Sequence, residues 1–352
     1  MMKKTLYIPL LVLVATLAAA CTKHTPEAIQ PNSPSSSYIF FQPDIMEEID
    51  TRANTVQFTG DKFGVIGYVG TTPIFTGYSN NIAEVKKEGS LYVYDNLAQW
   101  ADATSAHNFY AFYPYGQTIV TDNSVPFISY TQPTTVDGMV DVMTATTSVS
   151  RQDVDNGLVL LNFTHRLWAL DVKVNNSQSR DVITNPEGTD VTIAPNLYIT
   201  GAKIHIYGYR KAGNISMGEN KIEGSAKTAD ETEVVTFDLF TASTATPSIM
   251  VESEKSHTFD PLLFLPIGKT FAYRLEINFK NAWGASYDYY YPALTMDDEG
   301  NRVYGYKNLD NKYFVAGYRY SLEVEKKDAE GSFNINWDVK DWEGVGVYHT
   351  FK

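Results

Sequence analysis

Alternation of apolar and polar residues is the feature that most constrains what this 352-residue chain can fold into. In residues 270–279, TFAYRLEINF, every second residue from Phe271 to Phe279 is large and apolar, and most residues between them are polar. YRYSLEVEK and SFNINWDVK near the C-terminus repeat this pattern. Because successive side chains of a strand point to opposite faces, the pattern predicts half-buried antiparallel strands. Helical patterns are scarce, and residues 96–106, NLAQWADATSA, are the best short candidate.

The composition agrees with an all-β fold. The chain has 24 Tyr and 18 Phe with abundant Val and Thr, which suit the pleated surface of a sheet. Residues 60–69, GDKFGVIGYV, have apolar residues at both odd- and even-numbered positions, which we call the two parities of a strand. This predicts a strand that is covered on both faces. Shorter strands are predicted in SYIFF at residues 37–41, in SLYVYDN, in NFYAFYPY and after the turn signal of DGMVDVMTAT. A chain of this length favours two domains.

A change of parity marks the predicted domain boundary. In LVLLNFTHRLWALDVKV, residues 158–174, the apolar residues keep one parity through Leu167 and take the other from Trp168. Such a change needs a bulge, a crossing between sheets or a strand break. The polar segment SVSRQDVDNG precedes it. We therefore predict an N-terminal β-sandwich at residues 38–156 and a C-terminal β-sandwich at residues 157–352.

The N-terminus resembles that of a bacterial lipoprotein. MMKK is followed by an apolar stretch too short to span a membrane, and it ends in LAAAC, which is similar to a lipobox. The resemblance implies that residues 1–20 are a signal peptide and that Cys21 is lipidated. Cys21 is the only cysteine, so there is no disulfide framework. The alternative is a plain secretory signal with an incidental cysteine. Residues 21–37, rich in Pro, Ser and Thr, are predicted to be a lipidated flexible tether.

Charge and motifs narrow the function classes. The net charge of −13 argues against a nucleic-acid partner, which needs a basic face. The sequence lacks G-x-S-x-G, H-E-x-x-H and glycine-rich phosphate motifs. We therefore expect that the protein is not an enzyme and binds no cofactor or metal. His165, on an apolar parity, is interpreted as a buried structural residue rather than a ligand or base. DDEG at residues 297–300 lacks the alternating oxygen ligands of a calcium loop and is interpreted as a solvated turn.

Tyr287, Tyr289 and Tyr291 share a parity in YDYYYP. They are interpreted as one face of a sandwich core, because tyrosine fills strands throughout the chain. The alternative is an exposed aromatic platform for sugars. Paired carboxylates for a hydrolase would need a spatial arrangement that sequence does not supply.

Arg52 is the only arginine among the first 150 residues. It follows the acidic residues Glu47, Glu48 and Asp50 and precedes a strand-like run. Two interpretations stand at this point. Arg52 is either an ordinary exposed charge at the start of a strand or a place where an arginine-specific protease cuts.

Several segments taken together resemble the fimbrillin-like proteins, or type V pilins, of Bacteroides-type bacteria. The matching pieces, in the order of the family, are the lipobox at Cys21, TRAN followed by GDKFGVIGY, FYAFYP, DVMTAT, LNFTHRLWALDV, FLPIGKTFAYRLEINF, YRYSLEVEKK and FNINWDVKDW. The resemblance implies two transthyretin-like antiparallel β-sandwich domains. It also implies an outer-membrane lipoprotein precursor that becomes part of a surface fimbrium.

The resemblance also gives Arg52 a role. An extracellular arginine-specific protease would cut between Arg52 and Ala53 and so remove the lipid tether together with the first strand. A strand from another fimbrial subunit would then fill the groove. The implied partners are other fimbrial subunits, this protease, the outer membrane through the lipid anchor, and host or bacterial surface ligands.

The C-terminal tail VGVYHTFK is the candidate donor strand. Val345, Val347, His349 and Phe351 share one parity, and a terminal strand can leave its domain without drawing a loop along. The alternative is that residues 344–352 complete the edge of the second sandwich.

The leading functional hypothesis is a fimbrial subunit or accessory component that assembles by strand exchange and supports adhesion. The alternative is a monomeric surface lipoprotein that binds glycans through an aromatic face. A secreted β-sandwich hydrolase is a third hypothesis, based on generic carboxylates alone.

Overall fold

The computed structural model describes residues 37–46, 55–57, 60–122, 125–179, 181–184, 186–193, 195–218, 222–223, 234–266, 271–281, 286–292, 295–296, 302–303, 305, 307–309, 316–326 and 333–341. Within these ranges the regular structure is strands and four one-turn 3-10 helices, so the all-β prediction is confirmed. The 3-10 helices are Ser79–Asn81, Val136–Gly138, Arg151–Asp153 and Asp155–Gly157.

Twenty-eight strands are described, and eleven of them precede the change of parity. These eleven are β1 Phe40–Met46, β2 Thr55–Gln57, β3 Lys62–Val69, β4 Thr72–Pro73, β5 Ile82–Glu88, β6 Leu91–Val93, β7 His107–Tyr113, β8 Ile119–Asp122, β9 Val125–Thr131, β10 Met143–Val149 and β11 Leu158–His165.

The remaining strands follow in the same way. They are β12 Trp168–Asn176, β13 Asp181–Thr184, β14 Asp190–Ile193, β15 Leu197–Tyr207, β16 Ala212–Ser216, β17 Ile222–Glu223, β18 Val234–Thr241, β19 Ile249–Val251, β20 Lys255–Thr258, β21 Leu262–Phe264, β22 Phe271–Lys280, β23 Ser286–Tyr291, β24 Thr295–Met296, β25 Arg302–Val303, β26 Lys307–Leu309, β27 Tyr318–Lys326 and β28 Phe333–Asp341.

A nine-stranded sheet builds the first core. Its order is β2-β1-β11-β10-β7-β3-β5-β6, with β4 on β3. The sheet folds over on itself, because aromatic rings of distant strands meet inside it: Phe63 of β3 lies 5.4 Å from Phe163 of β11. β3 is covered on both faces, as its sequence predicts. Phe63 belongs to the first core, and Ile66 belongs to the second.

Two further sheets enclose the second core. β20-β12-β27-β28, with β21 on β12, faces β18-β15-β22-β23, which also carries β19 and β26. Trp168 and Phe264 of the first layer and Phe237 of the second are fully buried between them, and the rings of Phe237 and Phe264 lie 5.7 Å apart. The predicted architecture of two β-sandwiches is confirmed.

Two pairs of neighbouring strands run parallel, which the prediction of antiparallel strands does not include. β1 pairs in parallel with β11, and β12 pairs in parallel with β27. Arg319 of β27 donates hydrogen bonds to both carboxylate oxygens of Asp171 in β12, one of them from Nη2 to Oδ1 at 2.7 Å. This charge-assisted pair joins the two parallel strands where Asp171 is buried.

The change of parity is a crossing between sheets. β11 ends at His165 in the nine-stranded sheet, and β12 begins at Trp168 in the five-stranded sheet. Residues 158–165 follow the predicted boundary at 156/157 and pair with strands of the first sheet. The domain limits themselves stay a prediction.

A four-stranded sheet, β17-β16-β9-β8, connects the two halves of the chain. β9 pairs with β16 from Ala212↔Thr131 to Ser216↔Phe127. Beside it, Gln132 Nε2 donates to the Leu263 carbonyl at 2.6 Å, and the buried Arg166 donates from Nη2 to the Ser216 carbonyl at 3.0 Å. The remaining described pairs are the short hairpins β13-β14 and β24-β25.

Candidate functional site

The first strand supplies core side chains to the sandwich that follows it in the chain. Ile39 is 0% exposed and Phe41 is 3% exposed, whereas Gln42 is exposed on the other parity. The ring of Phe41 lies 5.4 Å from that of Phe109 and 5.6 Å from that of Tyr94. The alternation in the sequence thus makes β1 an integral part of the first core.

The backbone of β1 is paired on both sides. On one side it runs parallel to β11, from Phe40↔Leu158 to Ile45↔Phe163. On the other side it runs antiparallel to β2, from Asp44↔Gln57 to Met46↔Thr55. β11 itself pairs with β10 at two positions, His165 and Thr164. Along residues 158–163, which are most of β11, the described sheet partner is therefore β1.

Residues 94–100, which we call the clamp, hold the backbone just before β1. Trp100 donates from its backbone N to the Ser37 carbonyl at 3.0 Å and from Nε1 to the Tyr38 carbonyl at 3.1 Å. Ile39 donates its N–H to the Ala98 carbonyl at 3.0 Å and accepts from the Tyr94 hydroxyl at 2.8 Å. Burial raises the pKa of Tyr94, so this hydroxyl keeps its proton and donates.

Residues 96–106, the best helical candidate of the sequence, do not form a helix, and the clamp explains why. The backbone groups of Ala98 and Trp100 that a helix would use internally are bonded to residues 37–39. Further on, Asp102 Oδ1 accepts from the Thr104 backbone N at 2.8 Å, which forms a turn. Tertiary contacts override a weak local preference here.

Gly157 makes room for the segment held by the clamp. Its φ is +74°, and a Cβ atom placed on it would lie 2.2 Å from the Tyr38 carbonyl oxygen. Both conditions require glycine, because an L side chain is strained at this φ and would collide with backbone. The sequence contains a signal for this position, since Asn156-Gly157 before a strand is a turn dipeptide. Sequence reasoning missed Gly157, Tyr94 and Trp100 as residues of the site.

Gly157→Ala should destabilise the protein by about 2–4 kcal/mol, through backbone strain and the collision with Tyr38. Gly70→Ala is the matched control. Gly70 also has a positive φ, +59°, but an added Cβ meets no atom within 4 Å. Gly70→Ala should lower the free energy of unfolding by about 1–2 kcal/mol, from backbone strain alone. Urea unfolding of both variants measures the difference, and equal losses would contradict the close approach of Tyr38.

Asp44 is the one carboxylate of β1. Burial raises the pKa of the Asp44 carboxyl above its ordinary value. The docked strand therefore binds a proton more tightly than the free strand does. Docking of β1 becomes more stable as the pH falls through this raised pKa and less stable as Asp44 ionises. Nearby, burial first and then the charges of Asp61 and Asp44 raise the pKa of Tyr92 to about 12.

The site residues predicted from the sequence lie outside the described residues. These are Cys21, Arg52, Ala53, Val345, Val347 and Phe351. The turn predicted at residues 297–300 also lies outside them. What the structure describes is the strand that precedes Arg52 and the surface on which this strand lies.

The tyrosine platform is not present as a flat exposed surface. Tyr289 lies 4.6 Å from Phe333 and Tyr291 lies 6.1 Å from Tyr273, ring to ring, so both pack against the second core. Tyr287, at the end of β23, is 40% exposed. The interpretation as a core face is confirmed for the two packed rings.

His165 is buried, as the sequence predicts. Its Nδ1 lies 2.9 Å from Oδ2 of Asp141, which is also buried. Across the residues that the structure describes, no group of three or more His, Cys, Asp or Glu is placed to hold a metal ion. Within the same residues no helix is long and apolar enough to cross a membrane.

Comparison of the fold finds a crystallised fimbrial protein of Bacteroides vulgatus, with a TM-score of 0.54, 15% identity, and coverage of 87% of this chain and 100% of that one. A protein proposed to act in cell adhesion from Bacteroides ovatus has a TM-score of 0.49 and 14% identity, covering 88% and 99%. The fimbrial anchor protein Mfa2 of Porphyromonas gingivalis has a TM-score of 0.35 and 9% identity, covering 87% and 97%.

Sequence comparison gives the family. No curated protein matches the chain. The model of the fimbrillin-like family matches residues 51–342, which is most of the chain. The range begins next to Arg52 and ends at Trp342, so it leaves out both β1 and the C-terminal tail. On the strength of this match and of the shared fold, the chain belongs to the fimbrillin-like family.

Proposed function

We propose that this protein is a subunit or accessory component of a surface fimbrium that assembles with other fimbrial subunits by strand exchange and supports adhesion. The observation that carries the proposal is the position of β1. This strand fills the first core and lies before Arg52 in the chain, yet the family match begins only at residue 51. A strand that is essential to the core but outside the shared family region is suited to be exchanged.

The proposed activation is a hydrolysis. Water adds across the bond between Arg52 and Ala53, which leaves a carboxylate on Arg52 and an amine on Ala53. An arginine-specific extracellular protease would catalyse this step. The fragment on the N-terminal side of the cut would carry β1 and, at Cys21, the lipid that holds the precursor in the outer membrane.

Loss of β1 would expose both backbone and core. β11 would lose its parallel partner along most of its length, and the apolar surface around Phe109 would lose the ring of Phe41. Burial of one such side chain is worth about 1.5–3 kcal/mol. An open edge above an apolar face favours the addition of another strand, which restores the hydrogen bonds and the burial.

The strand donor is proposed to be the C-terminal tail of another subunit, residues 344–352, with Val345, Val347 and Phe351 facing the core. The tail lies outside the family match, as β1 does. Deletion of residues 344–352 should leave a folded, cut monomer that does not polymerise. Polymers formed by the deleted, cut protein would contradict the donor assignment. A lower melting temperature of the uncut protein would instead show that the tail is an edge strand.

Limited digestion with an arginine-specific protease tests the cut itself. The first new N-terminus should be Ala53. Of the other arginines, Arg166, Arg274 and Arg319 are held by hydrogen bonds in or beside strands, which makes them poor sites for a protease. Edman sequencing of the earliest product reads this directly. Arg52→Lys is the control and should remain uncut at this position. A first new N-terminus elsewhere in the wild-type protein would refute the processing step.

The packing of Tyr289 and Tyr291 does not favour the alternative, a monomeric lipoprotein with an aromatic platform for glycans. The proposed adhesion implies ligands on host or bacterial surfaces, and we assign no particular ligand.

A further inference from the structure

We propose that cutting the chain and opening the groove are two separate steps: after the cut, residues 37–46, which we call the plug, stay bound until another strand displaces them. This inference rests on the proposed function and adds to it the regulation of the same groove.

The contacts of the plug do not depend on the bond after Arg52. Its partners are β11, β2 and the clamp, all of which follow Arg52 in the chain and remain in the body of the protein. Hydrolysis removes the covalent link beyond Met46 and leaves these contacts in place. The cut fragment is then a bound peptide whose lifetime is set by the groove.

The buried side chains of the plug resist its loss. Ile39 and Phe41 lie in the first core, and the ring of Phe41 meets three aromatic rings, Phe75, Tyr94 and Phe109. Spontaneous release would expose all of this surface to water at once. Displacement by a second strand avoids the exposure, because apolar residues of the new strand replace those of the plug step by step.

The two ends of the plug are held differently. The end at Asp44 to Met46 is paired with the three residues of β2, next to the cut. The end at Ser37 to Ile39 is held by four hydrogen bonds of the clamp. A competing strand therefore enters beside β2, where hydrolysis has freed the chain, and the clamp end leaves last.

The clamp recognises backbone and not side chains. Tyr94 and Trp100 donate to the carbonyl oxygens of Ser37, Tyr38 and Ile39, which any extended strand presents. Tyr94 and Trp100 are thus positioning residues for whichever strand occupies the groove. The clamp accepts any extended strand, and we assign the occupant to a second copy of this chain because the proposed donor is the C-terminal tail of another subunit.

The test starts from purified protein cut with an arginine-specific protease. Gel filtration in native buffer should show the fragment that ends at Arg52 eluting with the body, and denaturant should separate them. Release is then followed during a chase with an excess of synthetic peptide of residues 37–52, with mass spectrometry as the readout.

Tyr94→Phe removes one hydroxyl that donates to the plug and keeps the ring. It should speed release about tenfold, and polymerisation of the cut protein should accelerate with it. Trp100→Phe, which removes the indole donor, should act in the same direction. Tyr130→Phe is the matched control, because the buried Tyr130 hydroxyl has no hydrogen-bond partner among the described residues. Its release rate should equal that of the wild type.

The outcomes are distinct. A wild-type fragment that is cut after Arg52 and leaves at once overturns the two-step inference, while the proposed function stands. A protein that is not cut after Arg52 overturns both. An unchanged release rate in Tyr94→Phe and Trp100→Phe overturns the role of the clamp.

Discussion

Phe41→Ala should lower the free energy of unfolding of the uncut protein by about 3–5 kcal/mol, which is the usual cost of removing a buried phenylalanine ring. Phe41 is almost fully buried, and its ring lies within 6.2 Å of three others. Urea unfolding followed by circular dichroism measures the loss.

Phe40→Ala is the matched control for this variant. Phe40 is adjacent in β1 but half-buried on the opposite face, so its loss should be clearly smaller. Equal losses would show that β1 is not a core strand. After cutting and displacement of the first strand, wild type and Phe41→Ala should unfold alike, because the substituted residue leaves with the fragment.

Trp168→Ala should lower the free energy of unfolding by about 3–5 kcal/mol, because it removes a large side chain from the second core. The Trp168 side chain is fully buried, stands 4.8 Å from Phe264 ring to ring, and donates from Nε1 to the Leu265 carbonyl at 3.0 Å. Trp168→Phe, which keeps an aromatic ring but loses the donor, should cost less. Thermal unfolding monitored by calorimetry measures both variants.

The shape of the transition in Trp168→Ala also tests the independence of the two halves. Because β3 faces both cores and β9 pairs with β16, we expect Phe41→Ala and Trp168→Ala to shift one common transition. Two transitions, each moved by only one variant, would contradict this expectation and support domains that unfold separately.

The sequence predicts the strands well where burial alone decides them. Tyr273, Leu275, Ile277 and Phe279 of β22 are buried, and the two apolar faces of β3 lie against two cores. The change of parity between Leu167 and Trp168 predicts a crossing or break, and the structure shows the crossing. Side-chain periodicity reports which residues are buried, so these features follow from local sequence.

Partner choice does not follow from local sequence. The pairing of β1 with β11 joins segments separated by more than a hundred residues, and its parallel direction leaves no trace in the alternation. The contacts of the clamp with residues 37–39 cannot be predicted for the same reason, since they join distant segments. Trp100 reads as part of a helix until the carbonyl groups that it bonds are known. Gly157 is visible as a turn signal, but its close approach to Tyr38 is not.

The sheet shared by β9 and β16 has a mechanical consequence. The two halves are joined by a backbone ladder flanked by Gln132 and Arg166, not by a single connecting segment. Bending one half against the other must break ladder hydrogen bonds together, which makes the protein stiff. If the protein assembles into a filament as proposed, flexing under fluid drag would concentrate at the joints between neighbouring copies, and those joints would set the stiffness of the fibre.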